Sequence, residues 1–320
     1  MKRITVYEAN DYITIGDGKN SLNQKEVELL QKFIKKEKLK STYISWEMGK
    51  FRFINYVGLI TIRGISIEIL PKTNKHNKED SRKSLINKLV NSRFIDINYS
   101  EITNIDLKNE NLLEILAYLF TIKMKKELSR GMYKEYVNQQ DNLTMIKGKL
   151  KIKEQLKNKS KKTLKAACEF DEFTEDNLLN GLFKSISLRL IKNIRTLKTL
   201  DNLNIILANF VDIEGRELNK YNFEKVKFHR NNQRFYESFI LMKKLLFGQN
   251  SLGEYGKDDG FCLLFEVNDL YEKYVGILCK SIDNSTSIQD KSEKLIIKAS
   301  NLIPVVQLKP DIFIPEKRII

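Results

Sequence analysis

The spacing of the apolar residues changes twice along the chain, and no other feature constrains the fold as strongly. Near the start, Ile65, Ile67 and Ile69 alternate with Ser66 and Glu68, the period of two that gives a strand one apolar face. In the middle, Leu112, Leu113, Leu116, Leu119 and Phe120 recur at helical spacing, and Gly131 reads as the C-cap that ends the run. Beyond Ser281 the strand period returns, over Lys294 to Lys298 and Val305 to Ile314. A chain that runs from β to helical and back is expected to fold as α+β.

Finer signals divide it further. Ser21-Leu22-Asn23-Gln24 reads as a capping-box start for a helix carrying Val27, Leu30, Phe33 and Ile34. Three strands are expected after it, Tyr43 to Trp46, Phe51 to Ile62 and Ile65 to Lys72, with turns over Glu47 to Lys50 and at Arg63-Gly64. The polar stretch Thr73 to Arg82 has linker character, and Gly248 to Gly260 suits a second boundary. Further helices are predicted from Thr174-Glu175-Asp176-Asn177 through Ile194, over Gln233 to Phe247, and over Asn268 to Ser281. The expected organisation is a β-rich domain with an inserted helix at 1–72, a mainly helical domain at 83–247, and an α/β domain over 261–320. No repeat of solenoid period is present.

With 320 residues, 42% of them hydrophobic and 10% aromatic, the chain has core material for two or three domains. No apolar run reaches the roughly 18 to 20 residues of a membrane helix; Leu112 to Phe120 comes nearest. The start turns acidic at Glu8 without an apolar signal segment, so a cytoplasmic protein with no membrane span is expected. Cys168, Cys262 and Cys279, with His76 and His229, have neither disulfide nor zinc spacing, and small buried thiols are the reading.

Lysine and arginine number 56 against 41 aspartates and glutamates, a net charge of +15, which favours polyanionic partners. Lys147, Lys149, Lys151 and Lys153 alternate with Gly148, Leu150 and Ile152, which is strand spacing with four ammonium groups on one face. Two readings stand side by side: an edge strand guarded by lysine against aggregation, or a surface that tracks the phosphates of double-stranded DNA. Glu169, Asp171, Glu172, Glu175 and Asp176 read as a loop and helix N-terminus rather than a metal site. The polar run from His229 to Arg234 is assigned no catalytic role.

The C-terminal residues are the most informative. Pro310-Asp311 opens a short apolar strand, followed by a polar turn from Pro315 to Arg318 and the start of a second apolar strand at Ile319-Ile320. That is the layout of the front half of a PD-(D/E)xK nuclease core, in which carboxylates from two adjacent strands hold Mg²⁺ and a lysine near the second acid helps to place the attacking hydroxide; taken alone, Pro310-Asp311 reads equally as an ordinary turn. Upstream, Glu272 stands on the predicted helix 268–281, either as the acid this class often carries on its first core helix or as an ordinary surface charge beside Lys273.

Taken in order, these segments resemble the McrC subunit of McrBC-type, modification-dependent (5-methylcytosine) restriction systems. The resemblance runs through Tyr56-Val57-Gly58-Leu59-Ile60, Ile67 to Lys72, Gly131 with Tyr133 and Tyr136, Ile146 to Leu150, Cys168 to Asn180, Arg234-Phe235-Tyr236, Leu270 to Val275 and Leu308-Lys309-Pro310-Asp311. It implies an N-terminal region that docks on a ring-forming AAA+ GTPase partner and stimulates it, and a C-terminal Mg²⁺-dependent endonuclease that cuts modified DNA. It carries Asp311 over as catalytic residue and metal ligand, and Glu272 as a further catalytic acid. The D-x-K element has no counterpart among the 320 residues, so the nuclease core is expected to be truncated and inactive in this chain. The alternative is a non-catalytic assembly and activation module for a nucleotide-driven ring.

Overall fold

The structure is a computed structural model that describes residues 2–18, 20–74, 77–94, 110–247, 260–288, 294–296, 304–307 and 311–314. It is a mixed α+β chain of two compact units, one formed by residues 1–119 and 243–320 and the other by residues 120–242. Among the described residues, no helix is long and apolar enough to cross a membrane.

The first unit is built on a four-stranded sheet of order β1-β7-β6-β11, from β1 (Lys2–Tyr7), β6 (Tyr56–Ile62), β7 (Ile65–Leu70) and β11 (Phe261–Glu266). β1 runs parallel to β7, while β6 is antiparallel to both β7 and β11. Gly58 sits in β6 at φ +127°, and a Cβ there would collide with the carbonyl of Leu263, so only glycine lets β6 and β11 approach this closely. One face of the sheet presents Ile4, Val6, Ile60, Ile67 and Ile69 to Val27, Leu30 and Phe33 of α1 (Gln24–Lys36). The same core continues into a small sheet of order β3-β2-β5-β4 through Ile13, Leu22, Ile44, Phe51 and Phe53. Its strands are β2 (Ile13–Ile15), β3 (Ser21–Leu22), β4 (Ile44–Glu47) and β5 (Lys50–Phe53).

Helix α1 begins two residues later than its sequence signal. Ser21 and Leu22 are held in β3, where Ser21 pairs with Thr14 and its hydroxyl donates to the carbonyl of Gly18. The capping box therefore falls to Asn23 and Glu26: the Glu26 amide donates to Asn23 Oδ1 at 2.9 Å, and the Asn23 amide donates to Glu26 Oε2 at 2.8 Å. The expected linker also departs from expectation, because α2 (Lys78–Asn91) starts inside it with Asn77 as N-cap.

The second face of the large sheet is buried as well, and among apolar Val57, Leu59, Leu263 and Phe265 it carries a carboxylate. Glu68 is 4% exposed on the central strand β7, and Arg82 of α2 reaches it with two contacts of 2.8 and 2.6 Å, while Thr5 of β1 donates to it at 3.2 Å. Arg3 pairs with buried Glu114 of α3 (Leu112–Leu128) at 2.8 Å. The alternation over 65–69 thus gives the right faces, but both are covered, and the carboxylate is tolerated inside because a guanidinium fork satisfies it.

The second unit joins an antiparallel pair to a helical core. β8 (Glu135–Leu143) and β10 (Ala166–Thr174) pair along their whole lengths, and the two-residue β9 (Lys149–Leu150) adds on the far side of β10. The helices are α4 (Ile152–Ser160), α5 (Leu178–Ile191), α6 (Leu197–Asn209) and α7 (Lys220–Lys225), with the start of α8 (Tyr236–Phe247). Phe183 lies between Phe120 and Phe235, with ring centroids at 6.3 and 5.9 Å. Two local expectations change here. Glu169, Asp171 and Glu172 lie on β10 rather than in a loop, paired across to β8, where Asn138 donates to Asp171 at 3.0 Å. The four alternating lysines do not share one strand face, because Gly148 turns the chain at φ +70° and Lys151 is already the N-cap of α4.

The Arg82–Glu68 pair makes a stability prediction. Arg82→Ala leaves a buried carboxylate without its counter-charge and is expected to cost about 3–5 kcal/mol. Combining Arg82→Met with Glu68→Leu is expected to recover most of it in urea unfolding of the full chain.

Candidate nuclease-like site and exposed hairpin

Glu272 lies on an element that follows directly from the large sheet. β11 runs without a loop into α9 (Val267–Ile282), the helix that carries Glu272. The first amides of α9 are capped from outside the helix. Asn55, at φ +61° in the turn between β5 and β6, accepts the Val267 amide on its carbonyl at 3.0 Å and the Asn268 amide on Oδ1 at 3.1 Å. The Asn55 amide in turn donates to buried Glu8 at 3.0 Å. Lys40 adds an ion pair of 2.6 Å to Glu266, the residue before the helix, and this contact raises the pKa of Lys40 above its ordinary value.

One turn beyond Glu272, Gly276 packs against Ile288, and a Cβ at position 276 would meet the Ile288 side chain at 2.8 Å. Ile288 belongs to β12 (Ser287–Ile288), which pairs antiparallel with β15 (Ile312–Phe313), Ile288 opposite Ile312. Asp311 is the exposed residue immediately before β15, and Glu272 is half-buried on α9. The two acids therefore lie on elements that are joined through β12, Glu272 on α9 to one side and Asp311 before β15 on the other. A short ladder, β13 (Lys294–Ile296) with β14 (Pro304–Gln307), completes the described part of this region. Among the described residues no group of three or more His, Cys, Asp or Glu side chains converges as a metal site would require. The turn and second strand expected from Pro315 to Ile320 lie outside the described residues.

The other unusual surface is the β8–β10 pair. Tyr136 and Phe173 are direct cross-strand partners with ring centroids 5.0 Å apart, yet they are 74% and 57% exposed. Met145, Ile146, Ile152, Leu156 and Leu164, in the segments that join these strands, are exposed as well. Of the four alternating lysines, Lys147 lies 3.5 Å from Glu172 and over the Phe170 ring, and Lys151 contacts Glu169 at 3.7 Å and Gln140 at 2.7 Å. Lys149 and Lys153 are exposed.

At the base of this pair, Tyr133 is buried, donates to Glu135 at 2.9 Å and lies 3.0 Å from His229 Nε2. The Nδ2 groups of Asn177 and Asn180 donate to its carbonyl at 3.1 and 2.8 Å. Burial first, and then the Glu135 carboxylate, push the phenol well above its ordinary value of 10.0.

Sequence reasoning missed the exposed aromatic pair and the Asn55 cap. Tyr136 and Phe173 sit in strands with polar residues on both faces, so alternation gives no sign of an apolar patch. The external cap joins residues too far apart in sequence for any local motif to reveal it.

A family model described as McrBC 5-methylcytosine restriction system component matches residues 51–320. Two solved structures are similar in fold. One is a chain of the cryo-EM structure of the Thermococcus gammatolerans McrBC complex, with 24% identity, 88% of each chain covered and a TM-score of 0.65. The other is a chain of a refined half-complex from a tetradecameric assembly of Thermococcus gammatolerans McrB AAA+ hexamers with bound McrC, with 22% identity, a TM-score of 0.71, and coverage of 98% of this chain and 77% of that one. No curated protein matches the sequence.

Two outcomes check this geometry. Asn55→Gly keeps the left-handed backbone and removes only the Oδ1 cap, an expected loss of about 1 kcal/mol; Asn55→Ala adds about 1–2 kcal/mol of backbone strain. Chemical denaturation of the two variants checks the ordering. For Tyr133, a folded pKa above the unfolded value means that its contribution to stability is complete below about pH 10 and is lost as pH rises further. Tyr133→Phe is expected to flatten that alkaline loss in melting curves recorded against pH.

Proposed function

The chain belongs to the McrBC 5-methylcytosine restriction system component family, and from that premise we propose that it is an McrC-type subunit that binds a ring-forming AAA+ GTPase and stimulates it. Its fold likeness to a chain from an assembly of McrB AAA+ hexamers with bound McrC, over 98% of its length, supports this reading. The 320 residues contain no G-x-x-x-x-G-K-[ST] phosphate-binding loop, which fits the partner of a nucleotide-driven ring better than the motor itself.

The observation that carries the reading is the exposed Tyr136–Phe173 pair, two large aromatic side chains packed together in the open at one end of the β8–β10 pair, of the kind that soluble chains keep open for a partner. We place the ring-binding face there, in place of the N-terminal region that the resemblance implies. Lys149 and Lys153, exposed further along the same hairpin, are the better placed of the four lysines to meet DNA phosphates, since Lys147 and Lys151 already answer Glu172 and Glu169. In the C-terminal region, Asp311 and Glu272 are proposed as the first two carboxylates of a PD-(D/E)xK-like site for cutting DNA.

Two experiments with a purified AAA+ partner test this. Tyr136→Asp with Phe173→Asp is expected to reduce partner binding at least tenfold and abolish GTPase stimulation, with no change in melting temperature; unchanged binding would remove the docking assignment. Asp311→Ala is expected to leave partner binding and GTPase stimulation intact while abolishing cleavage of methylated DNA by any form of the protein that cuts. Cleavage that survives Asp311→Ala would sink the catalytic assignment and leave the assembly module as the better account.

A further inference from the structure

We propose that the segment joining α7 to α8, residues 225–230 with Tyr221 and Tyr236 at its two ends, is a binding surface for a single-stranded stretch of nucleic acid. Residues 220–236 hold five lysines and arginines and one acid, Glu224, which Lys220 already meets at 3.7 Å. Exposure alternates along the segment: Lys225, Lys227 and His229 are exposed, while Val226 and Phe228 between them are half-buried. In an extended chain alternate side chains stand about 6–7 Å apart on one side, so Lys225 and Lys227, continued by exposed Arg230, form a row. Among the described residues, the side chains of Lys227 and Arg230 make no ion pair and no hydrogen bond. Such a row repels itself and is relieved by a polyanion laid along it.

Charge alone fits any polyanion, and the aromatic side chains narrow the class. Tyr221 is 63% exposed, and Lys225 Nζ lies 4.0 Å from its ring centroid, so a phosphate met by Lys225 brings the attached base within reach of the ring. At the other end Tyr236 is 43% exposed and packs edge-to-face with Phe228, ring centroids 5.1 Å apart. Unpaired bases stack on exposed rings whatever their sequence, whereas a duplex presents its phosphates and keeps the faces of its bases inside. Cations interleaved with open rings therefore match a single strand better than a duplex. An acidic peptide would answer the cations and leave the rings unused.

The row is held in shape from below. Asn232 is buried, and its Oδ1 accepts the His229 amide at 2.8 Å while its Nδ2 donates to the Lys227 carbonyl at 3.0 Å. Phe228 packs on Phe239 of α8 with ring centroids 5.1 Å apart. Arg234 fastens the far end by donating to the carbonyls of Glu127 and Gly131 at 2.9 and 2.7 Å. A segment whose backbone is already fixed loses little conformational entropy when it binds, which separates it from a flexible basic tail. None of these residues enters the partner or nuclease assignments, so this surface stands or falls separately from them.

The probe is a fluorescently labelled deoxyuridylate dodecamer, titrated against the full chain by anisotropy without divalent cations, beside a uridylate dodecamer and a mixed-sequence duplex of the same length. The deoxyuridylate strand is expected to bind at least tenfold more tightly than the duplex. The uridylate strand separates the sources: comparable affinity assigns the surface to rings and phosphates common to DNA and RNA, and a tenfold preference either way assigns it to one of them. Lys225→Gln with Lys227→Gln and Arg230→Gln removes three phosphate contacts, so the slope of log affinity against log salt is expected to become shallower by about 2, with melting temperature unchanged. That change belongs to this surface, because the lysines of 147–165 are untouched in the variant. Tyr221→Ala is expected to weaken single-strand binding about tenfold without moving the salt slope, and Tyr221→Phe, which keeps the ring, is expected to retain the affinity. Duplex bound as tightly as the single strand, a salt slope unmoved by the triple variant, or Tyr221→Phe binding as weakly as Tyr221→Ala would overturn the proposal.

Discussion

The antiparallel pairing of β11 with β6 is the constraint on which the first unit depends. It sets Phe261 opposite Thr61 and Leu263 opposite Leu59, so a strand from late in the chain completes a sheet begun at its start. The approach requires Gly58, because any side chain there would occupy the space of the Leu263 carbonyl. Everything after Glu266 inherits its position from this pairing: α9 leaves β11 directly, its first amides are capped by Asn55 from the neighbouring turn, and β12 with β15 packs on α9 at Gly276. Glu272 on α9 and Asp311 before β15 are thus hung from the N-terminal sheet. Contacts between residues so distant in sequence are costly to close before they are rewarded, which makes this pairing a late step in folding by general topology arguments.

A second property of the sheet is the cost of the carboxylates buried against its second face. Glu68 and Glu114 are buried, and each is answered by one arginine, Arg82 and Arg3. Buried ion pairs give little net stability, since desolvation offsets most of the attraction. What they supply here is register: a helix or strand shifted by one residue would leave a carboxylate alone in the interior. The same economy holds in the other unit, where Asn177 and Asn180, both buried, satisfy the carbonyl of Tyr133 at the root of the β8–β10 pair.

The β8–β10 pair departs from the usual balance of a soluble surface. Its partly covered end carries Ala167 and Cys168 in the interior, while its other end exposes Tyr136 and Phe173. The lysines of the connecting segment and α4 surround exposed Ile152, Leu156 and Leu164 with positive charge, which keeps such a surface from associating with itself. An apolar patch fenced by like charges stays soluble alone and still has contact area to offer a partner.

The sequence by itself determined the element types where one face or one stripe is apolar. The helices over 24–36, 112–128, 178–191 and 267–282 and the strands over 44–47 and 65–70 follow from spacing, and the α+β class follows from their order; the single strand expected over Phe51 to Ile62 is instead split at Asn55, φ +61°, into β5 and β6 of different sheets. It also carried the family, because the matching segments lie in order along most of the chain. It misjudged local boundaries where a cap or a turn competes with an equally good neighbour, as at Ser21 against Asn23 and at Gly148 within the lysine run. Only the tertiary structure decided which strands pair, that both faces of β7 are covered, that Asn55 caps a helix more than two hundred positions away, and that Tyr136 meets Phe173 in the open. The physical reason is range: periodicity and capping are set by neighbours three or four residues apart, whereas burial of a charge, closure of a sheet and exposure of an aromatic pair depend on groups that sequence order does not bring together.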